Sequence, residues 1–381
     1  MPAALRRNKE EREKIRFGPQ RLWGGSLFRA DPGRQRTDEG EKRLTFMDDL
    51  RIGVVGTGAI GREHIRRIAE RIPAAQVVAV SDFVPTSAEK VASQYGIAQY
   101  RTAEELIRAP EVDAVLVTSS DASHAGYVLE CLKARKYVFC EKPLAEKAAD
   151  CERILEEERK IGKRLVQVGF MRRYDRGYRE MKQCVDSGEI GNPLMIHACH
   201  RNVSQAPGFR SDMAVTKVAI HELDISRWLL GDEYDSGQVL DVRQSSLTGP
   251  DCLNPQIVLL KTRNGCRVDV EIQCMGAYGY DIQCQVVGEK GTVNLPDPAS
   301  AVRRAGARCS FGLLTDWAQR FVEAYDLEFK EWTESVRLGK LTGPSAWDGY
   351  VACVAADAIL RSRGSGRFEK IETVEKPSIY P

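Results

Sequence analysis

Residues Arg51–Gly61 read RIGVVGTGAIG, and this stretch decides the fold of the first half of the chain. A short strand-type apolar run leads straight into Gly56, Gly58 and Gly61. The first glycine allows a sharp turn. The second leaves the backbone bare, so a pyrophosphate can approach it. The third lets a following helix pack closely on the strand. Ile60, Ile65, Ile68, Ala69 and Ile72 then recur at helical spacing. The first N–H groups of that helix, near Ala59 and Ile60, therefore face the loop. A glycine-rich turn alone is common. Here a second strand, Gln76–Ser81, ends at Asp82, 21 residues past Gly61, where an acid that holds ribose hydroxyls belongs. The pattern predicts a dinucleotide site at Gly56, Gly58, Ala59, Ile60, Gly61 and Asp82. Phe83, Val84 and Pro85 follow with no Arg or Lys to hold a 2′-phosphate, so NAD is expected over NADP.

Outward from this motif the chain alternates strand and helix. Ala88, Val91, Ala92 and Tyr95 share one helical face, and Thr102 and Glu105 form a capping-box pattern. Asp113–Ser119 is a continuous apolar run, as expected of a parallel strand buried on both faces. A helix near 122–133 and a strand at 137–140 follow. The fold class is thus α/β: a Rossmann-type, doubly wound parallel sheet whose ligand crevice lies beyond the carboxyl ends of its strands. Three segments converge there: GTGAIG, Thr118–His124 (TSSDASH) and Cys140–Leu144 (CEKPL).

The second half changes character. Helices near 147–162 and 174–187 flank a strand at 165–170. Strand-like segments then come at 194–202, 238–247, 255–263, 266–275, 280–288 and 291–295, with Asn264-Gly265 as a hairpin signal. Cys266, Val268, Val270, Ile272 and Cys274 alternate with polar residues, as in an antiparallel sheet with one wetter face. Long helices near 314–338 and 345–362 close the chain. The expected domains are a disordered extension at 1–46, a dinucleotide-binding domain at 47–165, and an α+β domain with a large, mostly antiparallel sheet at 166–381. The extension carries 12 Lys or Arg against 7 Asp or Glu and has no apolar core to a signal sequence. Met47, just before DDLRIGVVG, is a natural alternative start.

With 381 residues, 43% hydrophobic content and a formal net charge of +2, the composition is that of an ordinary soluble protein. Nothing in it points to nucleic acid, and no apolar run is as long as a membrane span. Eleven scattered cysteines without a CxxC pair read as reduced core thiols of a cytoplasmic protein.

Two further segments carry chemistry. In Glu141-Lys142-Pro143 the proline disfavours helical geometry at Lys142, so the lysine tops a strand at the crevice. Its ammonium can stabilise the alkoxide-like charge that forms as hydride leaves a hydroxyl carbon. In Ala219–Gly231 (AIHELDISRWLLG), His221 and Asp224 are three apart on one helix face, expected near the helix N-terminus. His221 is the candidate general base. HELD lacks the second histidine of HExxH, so no metal is expected.

GxGxxG, EKPL and a later HExD helix together resemble the Gfo/Idh/MocA family of nicotinamide-dependent sugar and cyclitol dehydrogenases. GFMRRYD (169–175), IHACHRN (196–202), DMAVT (212–216) and GYDIQCQVVGEKG (279–291) are similar to its inositol-oxidising branch in particular. The resemblance implies NAD as cofactor, a homotetramer, and Lys142 and His221 as catalytic residues. It implies that Arg172, His200, Asn202, Asp224 and Tyr280 contact polyol hydroxyls. It places Ser119, Ser120, His124, Glu141 and Lys142 along the cofactor. One position departs: the family has an aspartate four residues before the histidine, and this chain has Lys217. An ammonium there would disfavour protonated His221 and crowd the site with Lys142. The nearest alternative substrate is a modified one, such as a keto- or amino-cyclitol, or a sugar acid whose negative charge would suit Lys217. A catalytically silent NAD-binding sensor is the alternative of a different class, but it has no need of a polyol pocket.

Overall fold

The computed structural model describes residues 49–298 and 300–380. The expected extension at 1–46, with Met47, lies outside the described residues.

In the first half, strands and helices alternate: β1 (Leu50–Val55), α1 (Ala59–Arg71), β2 (Ala75–Ser81), α2 (Pro85–Tyr95), β3 (Ala98–Gln99), α3 (Ala103–Arg108), β4 (Ala114–Val117), α4 (Asp121–Lys133), β5 (Tyr137–Glu141), α5 (Ala148–Ile161) and β6 (Val166–Gly169). All the strands pair in parallel, in the order β3-β2-β1-β4-β5-β6. Every residue of β4 is buried, because helices cover both sheet faces. Thr102 and Glu105 close the capping box of α3. The strand order reverses between β1 and β4, and this opens a crevice above their carboxyl ends.

The second sheet has the order β12-β11-β7-β10-β9-β8-β15. Its elements follow a 3₁₀ turn (Met171–Tyr174): α6 (Arg176–Asp186), β7 (Pro193–Arg201), α7 (Ser211–Met213), a π-helical turn (Ala214–Ala219), α8 (Ile220–Leu230), β8 (Tyr234–Asp241), β9 (Gln256–Thr262), β10 (Arg267–Gln273), β11 (Asp281–Gly288) and β12 (Thr292–Asn294). A small hairpin, β13 (Arg303–Ala305) and β14 (Arg308–Ser310), precedes α9 (Trp317–Arg320), α10 (Val322–Arg337), α11 (Ala346–Ser365) and β15 (Glu369–Lys370). The sheet is antiparallel except that β7 and β10 run parallel. β9 and β10 form the hairpin expected at Asn264-Gly265, with Gly265 at φ +94°. β8 begins four residues earlier than the alternation indicated.

Two features of the fold bear on the expected domain boundary. The strand at 166–169 belongs to the first sheet, paired in parallel with β5, so that sheet runs four residues past the expected boundary at 165. The C-terminal segment also returns to the first domain. Phe329, Trp332 and Val336 of α10 join Leu50, Ile52, Val54 and Phe139 in one core, with Phe139 and Phe329 stacked at 4.7 Å. α10 thus packs against the first sheet as well as following the second. The expected helix at 314–338 divides at Phe321, which caps the end of α9 and the start of α10 and is fully buried.

Candidate active site

The glycine loop is built as the motif requires. Gly56 has φ +101°, and a Cβ there would lie 2.6 Å from the Ser119 nitrogen, so the β1 and β4 loops close only over glycine. A Cβ on Gly61 would lie 2.2 Å from the Gly56 carbonyl oxygen. A Cβ on Gly58 would meet nothing within 4 Å, which leaves open space over the bare backbone at the start of α1. Asp82 follows the end of β2 and is held against this turn. Its Oδ2 accepts from the Thr57 N–H (2.6 Å) and hydroxyl (2.8 Å), and its Oδ1 accepts from the Val84 N–H (2.8 Å). A carboxylate has about four acceptor positions, so capacity for ribose hydroxyls is left. The bare glycine cradle and the fixed acid fit a dinucleotide.

The next loops brace one another. Ser119 Oγ lies 2.7 Å from Ser123 Oγ. His124 is buried, with Nδ1 2.7 Å from the Pro143 carbonyl and Nε2 3.1 Å from the Ser119 carbonyl. It ties the loop after β4 to the loop after β5. Glu141 braces the same loop. It is buried, its Oε1 lies 2.7 Å from His64 Nε2, and its Oε2 accepts from the Lys142 N–H.

The substrate half comes from elements far apart in sequence. Arg172 lies on the 3₁₀ turn after β6, His200 on β7, Asn202 just beyond it, His221 and Glu222 on α8, and Tyr280 just before β11. Arg172 and Glu222 form a fully buried ion pair. His200 Nδ1 lies 3.0 Å from Glu222 Oε2 and 3.0 Å from an Arg172 nitrogen. The carboxylate is the stronger partner for an Nδ1 proton. Nε2 is then left as a lone-pair acceptor. Tyr280 stands edge-on to the His200 ring at 5.8 Å. Lys142 Nζ donates to the Lys217 carbonyl at 3.4 Å. Three buried polar atoms in this group have no partner: Arg172 Nε, Asn202 Nδ2 and His221 Nδ1. Buried polar groups are nearly always satisfied, so these mark where polar ligand atoms belong.

The charges are set by burial and by neighbours. Burial, with the positive charges of Lys142 and Arg172, holds the His221 imidazole well below the usual histidine range. Burial lowers the Lys142 ammonium as well, while Glu141 and Asp121 oppose the shift and Arg172 and Lys217 add to it. Burial alone would raise the Glu222 carboxyl, but Arg172 and His200 hold it below its ordinary value. Burial pushes the Tyr280 phenol up to about 12, so it stays a donor.

Three expectations fail here. Lys217 does not aim its charge at His221. Its ammonium pairs with Asp121 at the start of α4, at 2.8 Å, and only its carbonyl faces the site. An anionic substrate therefore loses the uncompensated ammonium that recommended it. Asp224 is not free for a hydroxyl, because both its oxygens accept from Arg173, at 2.9 and 2.5 Å, in a network that includes Asp348 and Arg227. His221 is not near an open helix N-terminus, since α7 and the π turn continue directly into α8. A π turn within a helix is a frequent mark of a functional site.

Sequence reasoning missed Glu222, His64 and Asp121. Glu222 stands inside the HELD motif, but the buried arginine at 172 that requires a buried acid opposite it is visible only in the fold.

A doubly wound domain that carries a glycine cradle and, after β5 and β6, a lysine and a buried arginine, joined to a second sheet whose helix α8 brings a histidine and the acid that pairs with that arginine, defines a two-domain nicotinamide-dependent oxidoreductase. The chain belongs to the Gfo/Idh/MocA oxidoreductase family: residues 50–170 match its NAD-binding Rossmann fold and 182–373 its C-terminal alpha/beta domain. It is 50% identical, over 87% of this chain and 99% of the relative's length, to an inositol 2-dehydrogenase of Ralstonia nicotianae. An inositol 2-dehydrogenase of Azotobacter vinelandii is likewise 50% identical, over 87% of this chain and 98% of its own. A crystal structure of myo-inositol dehydrogenase from Lactobacillus casei, in complex with NAD(H) and myo-inositol, superposes with a TM-score of 0.85 at 36% identity. It covers 87% of this chain and all of that one. Among the described residues no helix is long and apolar enough to cross a membrane.

Proposed function

We propose that this protein catalyses NAD-dependent oxidation of a ring secondary alcohol of a cyclitol, as a myo-inositol 2-dehydrogenase does. The observation that carries the reading is Lys142 and His221 set beside unpartnered donors on Arg172 and Asn202. Gly56, Gly58, Ala59, Ile60, Gly61 and Asp82 would hold the dinucleotide, with Ser119 and Ser120 beside it. NAD when bound supplies the hydride acceptor. His221, neutral at physiological pH, accepts the hydroxyl proton. The Lys142 ammonium donates to the same oxygen and stabilises the negative charge that grows there. Arg172 Nε, Asn202 Nδ2, the His200 ring and the Tyr280 hydroxyl meet the neighbouring ring hydroxyls. A stereoisomer that leaves one of them unpaired is rejected, because an unsatisfied buried polar group is costly.

The reading includes a cytoplasmic homotetramer. Free cysteines throughout the described residues support the reducing compartment. The test is NADH formation across cyclitols and hexoses between about pH 7 and 10. Myo-inositol should be oxidised well above the hexoses. No turnover with any cyclitol, while NAD still binds, would reject the reading.

A further inference from the structure

A buried polar chain runs away from Lys142 into the body of the protein, and the proposed reaction makes no use of it. Glu141 Oε2 accepts from the Lys142 backbone N–H at 3.2 Å, and Glu141 Oε1 lies 2.7 Å from His64 Nε2. An Arg67 guanidinium nitrogen lies 3.0 Å from His64 Nδ1. Arg67 Nε donates to Asp326 Oδ1 at 2.8 Å, and Arg71 donates to Asp326 Oδ2 at 2.6 Å. His64 is fully buried and Arg67 is 4% exposed. The chain therefore links α1, the end of β5 and α10.

The donor inventory fixes its protonation. Arginine has only donors, so His64 Nδ1 must be the acceptor. The ring proton then sits on Nε2 and is donated to Glu141. Glu141 is accordingly the acceptor, and an ionised one. Burial would raise its carboxyl, but the hydrogen bond from His64 and the Lys142 charge hold it below its ordinary value. Burial keeps the His64 imidazole below its own usual value, in line with a neutral ring.

We propose, resting on the role given above to Lys142, that His64 and Arg67 are positioning residues. Through the Nε2–H they orient and keep Glu141 as a fixed anion behind Lys142, and this anion keeps the ammonium charged at the reacting oxygen. The groups facing Lys142 are Glu141 on β5, Asp121 on α4, Arg172 on the 3₁₀ turn, Lys217 on the π turn, His221 on α8 and His200 on β7. Only Glu141 and Asp121 among these are anions, and Asp121 is already paired with Lys217. Facing Glu141 are His64, Lys142, and Glu328 and Tyr325 on α10. Facing His64 are Glu141, Tyr325 on α10 and, on its own helix, Arg67 and Glu63.

An amide at position 64 separates this role from mere packing. In His64→Gln the side chain reaches as far as Nε2 and can still donate to Glu141. In His64→Asn it ends near the Nδ1 position and serves Arg67 alone. Glu141, buried without its donor, would then take up a proton, and Lys142 would lose its counter-charge. The readout is the titration of Lys142 itself, by competitive acylation across pH and mass spectrometry of the peptide that carries it. Lys142 is partly exposed and so open to a small reagent. His64→Asn should move the titration down by about one pH unit, roughly a tenfold faster acylation at a fixed pH below the midpoint. His64→Gln should titrate as the parent does, and Glu141→Gln should reproduce the Asn shift. Far-UV circular dichroism and NAD binding check the fold. Should His64→Asn not fold, the isosteric Glu141→Gln carries the same test. A folded His64→Asn or Glu141→Gln that titrates like the parent, or a His64→Gln shifted as far as Asn, overturns the inference. Acylation reads Lys142 whether or not a cyclitol is oxidised, so failure here is distinct from failure of the proposed function.

Discussion

Replacing Lys142 with methionine tests the proposed chemistry most directly. Methionine keeps most of the side-chain length and removes only the charge and its donors. An ammonium about 3 Å from a developing alkoxide, at an effective dielectric of about 20, attracts it by roughly 5 kcal/mol before other costs. Removal of one such donor from an enzyme site typically loses about 2.7–4 kcal/mol. Turnover should therefore fall by about a hundredfold to a thousandfold, with NAD affinity little changed. The structure adds a second signature. After burial, the Lys142 charge is the first factor that holds His221 below the usual histidine range. Without it the imidazole titrates at higher pH. Activity needs the neutral ring, so the acid limb of the residual kcat/KM profile should move upward. The assay is steady-state NADH formation from myo-inositol at saturating NAD across pH, with NAD binding followed by calorimetry. Turnover within threefold of the parent would refute the role of Lys142. An unmoved acid limb would refute the coupling between Lys142 and His221.

Three further outcomes are expected. Lys217→Asp should set two carboxylates face to face at Asp121, lower the melting temperature slightly, and leave both the myo-inositol rate and its acid limb without gain. The exposed pair it breaks contributes about 1 kcal/mol at most. A raised rate with a shifted limb would mean that the ammonium does act on His221. Glu222→Gln should cost about 3–5 kcal/mol in urea unfolding, because it leaves the Arg172 charge buried without its partner. A loss below about 1 kcal/mol would show that the pair is solvated. The Asp82 carboxylate should repel a 2′-phosphate, so kcat/KM should favour NAD over NADP, and Asp82→Ser should narrow the ratio. Equal efficiency with both cofactors in the parent protein would contradict this reading of the β2 end.

The sequence by itself determined whatever depends on local pattern. The glycine spacing, the acid after β2, the alternation of apolar strands with helices, the Thr102 capping box and the Asn264-Gly265 hairpin are properties of a few neighbouring residues, and all of them recur in the fold. Lys142 and His221 were legible too, since each sits in a short motif. Tertiary structure alone decided what depends on partners distant in sequence. Strand 166–169 reads the same whichever sheet it joins, and only pairing with β5 assigns it to the first. Lys217 and Asp224 were read by their spacing from His221, but long side chains choose partners by charge and reach. Asp121, 96 positions away from Lys217, takes the one, and Arg173 takes the other. Arg172 with Glu222, and His64 with Glu141, pair 50 and 77 positions apart. A buried charge must find its counter-charge wherever the fold has brought one within reach, and no local period in the chain records where that is.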